Sequence, residues 1–215
     1  MQAVFREAWR PDAPDTSYRQ RIQEVIHSQP AQMRSSDVAR GFIDASQAGL
    51  QQLQAEFDEG AFEAAVTLLQ HADHIYVTAV RRMFPVAAYL GYALQHTRKR
   101  VVLLDGVGGM LHQQLQGMRA GDVLVAVSMP PYGSETRRAV KVARQRKARV
   151  LALTDNTLSP IAREADVVLP VRESESYRFR ALASPITLAQ SLFIALAYRL
   201  ELNLDPPEEP PHHED

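Results

Sequence analysis

The chain has 215 residues, 46% of them apolar, with 24 Lys and Arg against 25 Asp and Glu. That is enough apolar material for one large core, and a formal charge of −1 excludes a surface that is basic all over, as a nucleic-acid glove would be. There is no cysteine, which removes disulfide frameworks and thiolate chemistry and suits a reducing cytoplasm.

No window approaches the roughly 18 consecutive apolar residues of a membrane span. The start, Met1 to Glu7, lacks the basic-then-apolar shape of a secretion signal. Residues 1–35 read as an arm. Phe5 and Trp9 flank a helix-like turn, Pro11 and Pro14 break it, and Tyr18–His27 fits a short helix ended by Pro30. The arm has too few apolar residues to form a core alone, so it is expected to pack on another subunit or a neighbouring domain.

A stronger helical pattern follows, with Ser36 or Asp37 as the expected cap and Phe42, Ile43, Leu50, Leu53 and Phe57 near helical period. A second runs from Phe62 to Leu69 after a break at Gly60. From His74 the pattern becomes an alternation. Apolar runs at Ile75–Val80, Val101–Leu104, Val123–Val127, Val150–Leu153 and Val167–Val171 are separated by amphipathic helices, the last a short one over Ile161–Ala165. Unbroken β-branched runs alternating with helices predict an α/β fold: a three-layer αβα sandwich around a five-stranded, parallel, doubly wound, flavodoxin-like sheet, preceded by helices. A final helix over Pro185–Glu201 carries more apolar surface than one sheet face needs, which predicts a subunit interface. The tail 204–215, rich in Pro and Glu, predicts disorder.

In such sheets ligands sit beyond the strand C-termini, where strand order reverses. The loop Ser128-Met-Pro-Pro-Tyr-Gly-Ser-Glu-Thr136 leaves the third strand and enters a helix. Free backbone N–H groups at a helix start, with the hydroxyls of Ser128, Ser134 and Thr136, form a pocket for an anion such as a phosphorylated small molecule. Gly133 and Glu135 belong to the same loop, and Tyr132, held on a stiff loop between Pro131 and Gly133, is placed to stack on a ring of the ligand, to line a subunit groove or to pack on the exposed loop itself. Arg81 and Arg82, after the first strand, are candidates to grip phosphate in a bidentate way or to form an ordinary ion pair. The bland alternative for the loop is a capped helix with no ligand. Asp105-Gly-Val-Gly-Gly lacks dinucleotide spacing and reads as a turn, and no histidine stands at metal-ligand spacing, so neither cofactor nor metal is expected.

Residues 74–200 resemble the SIS (sugar isomerase) domain, a phosphosugar-binding module. The stretches that carry the likeness are Gly121–Ser128 with Glu135 and Thr136, and Ala148–Leu169. Asp58 to His74 resembles the linker before this module in RpiR-type transcriptional regulators, and Met1–Arg10 looks like the last helix of their DNA-binding part, whose helix-turn-helix is not in this chain. The sequence departs from the family pattern where the first loop, Ala79 to Met83, lacks the usual glycines and serine, and where Met129–Gly133 lengthens the third loop. The resemblance implies three parts: the arm 1–35, a SIS domain with its linker helices over 36–203, and the tail. It implies a non-catalytic sugar-phosphate sensor, cytoplasmic and dimeric or tetrameric through the last helix and the arm, reaching DNA only through the missing head. Two rivals stand beside it. One is an aldose–ketose phosphate isomerase, for which Glu135 would be the base; the other is a structural oligomerisation domain with an empty pocket.

Overall fold

The computed structural model describes residues 18–28 and 33–201. The expected helix in Met1–Arg10 and the expected disorder of 204–215 lie outside those residues. Two N-terminal helices come first, α1 (Tyr18–Ser28) and α2 (Ser35–Ala55), followed by α3 (Glu59–Gln70). The cap of α2 falls at Arg34 rather than Ser36 or Asp37. Asp37 sits one turn in and its carboxylate accepts the Arg34 backbone N–H at 3.1 Å. The break before α3 is made by Asp58, which accepts the Ala61 N–H at 2.9 Å, with Gly60 already helical.

The alternation then runs β1 (His74–Thr78), a 3₁₀ turn at Arg81–Met83, α4 (Phe84–Leu94), β2 (Arg100–Leu103), α5 (Leu111–Gln116), β3 (Val123–Val127), α6 (Ser134–Gln145), β4 (Arg149–Thr154) and β5 (Val167–Pro170). The five strands form one parallel sheet in the order β2-β1-β3-β4-β5, with β1 pairing β2 on one side and β3 on the other. Strand order therefore reverses between β1 and β3, and this is the crevice where such folds bind ligands.

Both sheet faces are covered. Ile75, Val77, Val123, Val125, Val127, Leu151 and Leu153 face α3, α4 and the long C-terminal helix α7 (Ala183–Glu201). Tyr76, Leu124, Ala126, Val150 and Ala152 face the opposite layer with α5 and α6. This alternation within strands that are apolar on both sides is why they read as continuous runs. The stretch Ile161–Ala165 makes only a 3₁₀ turn at Ala162–Glu164, because β5 begins three residues later and leaves no room for a longer helix.

The connector between β5 and α7 forms a small hairpin. Glu175–Ser176 (β6) pairs antiparallel with Phe179–Arg180 (β7), turning through Tyr177 and Arg178 at φ 49° and 60°. Two successive left-handed residues suit a two-residue hairpin, usually at Asn or Gly. Here tertiary contacts hold it: the Tyr177 hydroxyl donates to the Asp37 carbonyl at 3.1 Å, its ring packs near Phe42, and Arg178 pairs with Glu24 of α1. Among the described residues no helix is long and apolar enough to cross a membrane.

Candidate functional site

The switch between β1 and β3 brings together the residues expected there. Ser128 leaves β3 with its backbone pinned by β4: its N–H donates to the Leu153 carbonyl at 3.1 Å, and its carbonyl accepts from Thr154 Oγ1 at 2.8 Å. Gly133 is the N-cap of α6, offering no side-chain cap. A Cβ at Gly133 would collide with Val80, so this glycine lets the loops after β1 and β3 touch. The loop between holds a cis peptide at Pro130–Pro131.

Thr136, in the first turn of α6, is fully buried, and its Oγ1 is the one buried side-chain polar atom among the described residues without a hydrogen-bond partner. Such a group is costly to bury unpaired. Ser128, where the chain leaves β3, is only 4% exposed. Ser134 and Glu135 are exposed, and the Ser134 hydroxyl donates to Glu135 at 3.0 Å. The Glu135 backbone amide, then that hydroxyl, and less strongly the Arg81 guanidinium, hold the Glu135 carboxyl below the usual glutamate range. A carboxylate so stabilised is a weak proton acceptor.

Tyr132 and the arginines are engaged by partners from further along the chain. The Tyr132 hydroxyl donates to Asp155 at 2.8 Å, and burial together with that carboxylate pushes its phenol well above the usual range, so it stays a neutral donor. Arg82 makes a two-pronged pair with Glu173, one prong at 2.7 Å, and donates to the Pro130 carbonyl at 3.3 Å. Glu173 is only 2% exposed and also has Arg180 at 3.7 Å. Arg81 takes a left-handed φ of 56° that turns the chain into the 3₁₀ segment. All eight expected residues thus lie on or beside one crest, but Arg82 is there as half of an ion pair. Glu173, Asp155 and Arg180 were not among them. The signal for Glu173 is positional: it lies in the loop after β5, the fifth of the strand ends at this crest.

An αβα sheet of order 2-1-3-4-5 with hydroxyls, a helix start and arginines at its switch point defines a class of small-molecule-binding α/β domain. The SIS domain model matches residues 68–198, and the chain belongs to the SIS domain family. It is 28% identical over 172 residues to the glutamine–fructose-6-phosphate aminotransferase (isomerizing) of Symbiobacterium thermophilum, covering 77% of this chain and 26% of that one. It is 28% identical over 96 residues to an HTH-type transcriptional regulator of Haemophilus influenzae, covering 45% of this chain and 33% of the regulator. The chain therefore spans a third or less of these curated relatives. Among solved structures it resembles the sugar isomerase domain of an RpiR transcription factor from Sphaerobacter thermophilus, with TM-score 0.71 and 29% identity, covering 76% of this chain and 91% of that one. The fold is shared with Vibrio vulnificus NanR complexed with ManNAc-6P, with TM-score 0.64 and 20% identity, covering 85% and 69% of the two chains.

Proposed function

We propose that this chain is the phosphosugar-sensing domain of an RpiR-type transcriptional regulator of carbohydrate metabolism, working in the cytoplasm without turning its ligand over. The observation that carries this reading is the buried, unpartnered Thr136 hydroxyl at the start of α6, beside Ser128 and Gly133. A phosphate oxygen would satisfy that donor and the free N–H groups of the helix start together. The likeness to the RpiR sugar isomerase domain supports a sensor, and NanR, which shares the fold, is known with a sugar phosphate bound. Binding is expected to bias one arrangement of a homo-oligomer, assembled through α7 and the arm 1–35, and so to move DNA-binding heads supplied outside the described residues. Ile194 and Tyr198, 61% and 67% exposed on α7, are the apolar side chains such an interface would cover.

The second reading, a sugar-phosphate isomerase, is favoured by the aminotransferase likeness and by one buried carboxylate at the crest, Glu173. Against it, that carboxylate is held at both oxygens by Arg82, and Glu135 is a weak base.

Thermal shift against a panel of sugar phosphates, with NMR of the same mixtures, tests the proposal. A rise in Tm with at least one sugar phosphate, lost in Thr136→Val, and no turnover are expected. Turnover would establish the isomerase, and the absence of any shift would leave the domain as a structural oligomerisation unit.

A further inference from the structure

The edge of the sheet opposite the crest carries a cleft. Its floor is the chain entering β1 and β2, and its volume is about 420 Å³, within the range of small-ligand sites. Arg98, Lys99, Arg100, His74, Asp73 and Arg119 line it. Two of these charges are already committed. The Lys99 ammonium donates to the carbonyls of Gln70 and Ala72, closing the end of α3, and burial lowers its pKa, opposed by nearby Asp73. His74 Nδ1 lies 2.9 Å from Asp122, which is fully buried.

The three arginines are not committed. Among the described residues none of Arg98, Arg100 or Arg119 has its guanidinium in an ion pair or hydrogen bond, while at least eight other arginines do. They come from two separate segments. Arg98 and Arg100 precede β2, and Arg119 precedes β3, where its backbone N–H is anchored on Asp122 at 2.8 Å. Asp73, the one carboxylate lining the cleft, packs against Gly121 and faces Lys99. Three guanidiniums thus line one cleft against a single carboxylate, and each presents a planar fork suited to oxyanions.

We propose that this cleft is a second anion site, for a compact small molecule carrying at least two phosphoryl groups. It is independent of the crest and of the sensor reading above. β1 separates the two, at roughly 3.3 Å per residue over its five residues. Two phosphoryl groups are indicated because the arginines come from two segments of the chain, and one phosphate cannot take a bidentate grip from all three.

The test is titration calorimetry of the full chain with pyrophosphate, at low and at physiological ionic strength. Wild type is expected to bind. The double variant Arg98→Ala/Arg119→Ala is expected to lose at least about tenfold in affinity with an unchanged Tm, because these side chains are exposed. Thr136→Val, at the crest, is expected to bind pyrophosphate like wild type. No binding by wild type at low salt, equal binding by the double variant, or loss in Thr136→Val instead would each overturn the proposal. Tighter binding of a random-sequence DNA duplex through the same arginines would also overturn it, making the edge a nucleic-acid contact. Failure here leaves the sugar-phosphate result at the crest untouched, and the reverse holds.

Discussion

The two edges of the sheet use the same residue type to different ends. At the C-terminal crest, Arg82 is neutralised by a buried carboxylate, Glu173, with Arg180 beside it. At the N-terminal edge, Arg98, Arg100 and Arg119 line a cleft whose one carboxylate, Asp73, faces Lys99. In the sequence the two clusters look alike, Arg81-Arg82 after one strand and Arg98-Lys-Arg100 before the next. What separates them is a glutamate 91 positions away, delivered by the end of the sheet. A basic pair beside a strand therefore says nothing about its charge state in the fold until the partner strand ends are known.

The contrast can be broken most forcefully at Glu173. Glu173→Ala removes one half of a buried pair and leaves two guanidiniums facing each other, and is expected to cost about 3 kcal/mol in chemical denaturation. A loss within the range of an ordinary surface change, about 0.5 kcal/mol, would show that the crest arginines do not need neutralising. The opposite edge has its own buried acid. Asp122→Ala strips the Arg119 N–H and His74 of their acceptor, and should cost about 2 kcal/mol by the same measurement. It should also weaken pyrophosphate binding, by releasing the turn that carries Arg119.

Thr136→Val sharpens the comparison in the other direction. Removing a buried hydroxyl that has no partner is expected to raise stability by about 1 kcal/mol while sugar-phosphate affinity falls. A loss of stability would mean that the hydroxyl is satisfied in solution without a ligand. The smallest effect is electrostatic. Ser134→Ala should raise the Glu135 pKa toward its ordinary value, followed by NMR titration of the side chain. Because the folded-state pKa is depressed, this contribution is present at neutral pH, above the unfolded pKa. It is lost as pH falls through the lower folded value, so wild type and variant should converge in acid.

Much of the fold was legible because the parallel strands are buried on both faces and so appear as unbroken runs. Val123–Val127 is the clearest, with all five residues buried. The crest was legible because the Ser128–Thr136 loop follows such a run and enters a helix. The hairpin at residues 175–180 was not, since its turn uses Tyr177 and Arg178 where a Gly or Asn would have announced it. Nor was the start of α2, where Arg34 takes the cap position and Asp37 acts from inside the first turn. In both places the conformation is fixed by partners, distant for the hairpin and reversed in polarity for the cap. Asp155 escaped for a related reason: its role depends on Tyr132, 23 positions earlier, reaching across from the neighbouring strand end.

The short ribbon between β5 and α7 has its base in the Arg82–Glu173 pair, while its tip is fastened to Asp37 of α2 and Glu24 of α1. Few residues intervene, and Ala181 N–H closes the loop back onto the Ser174 carbonyl at 2.9 Å, so the ribbon has little slack. Any guest that draws Arg82 away from Glu173 must pull against the two leading helices. By reciprocity, whatever clamps those helices tightens or loosens the hold on the guest by the same free energy.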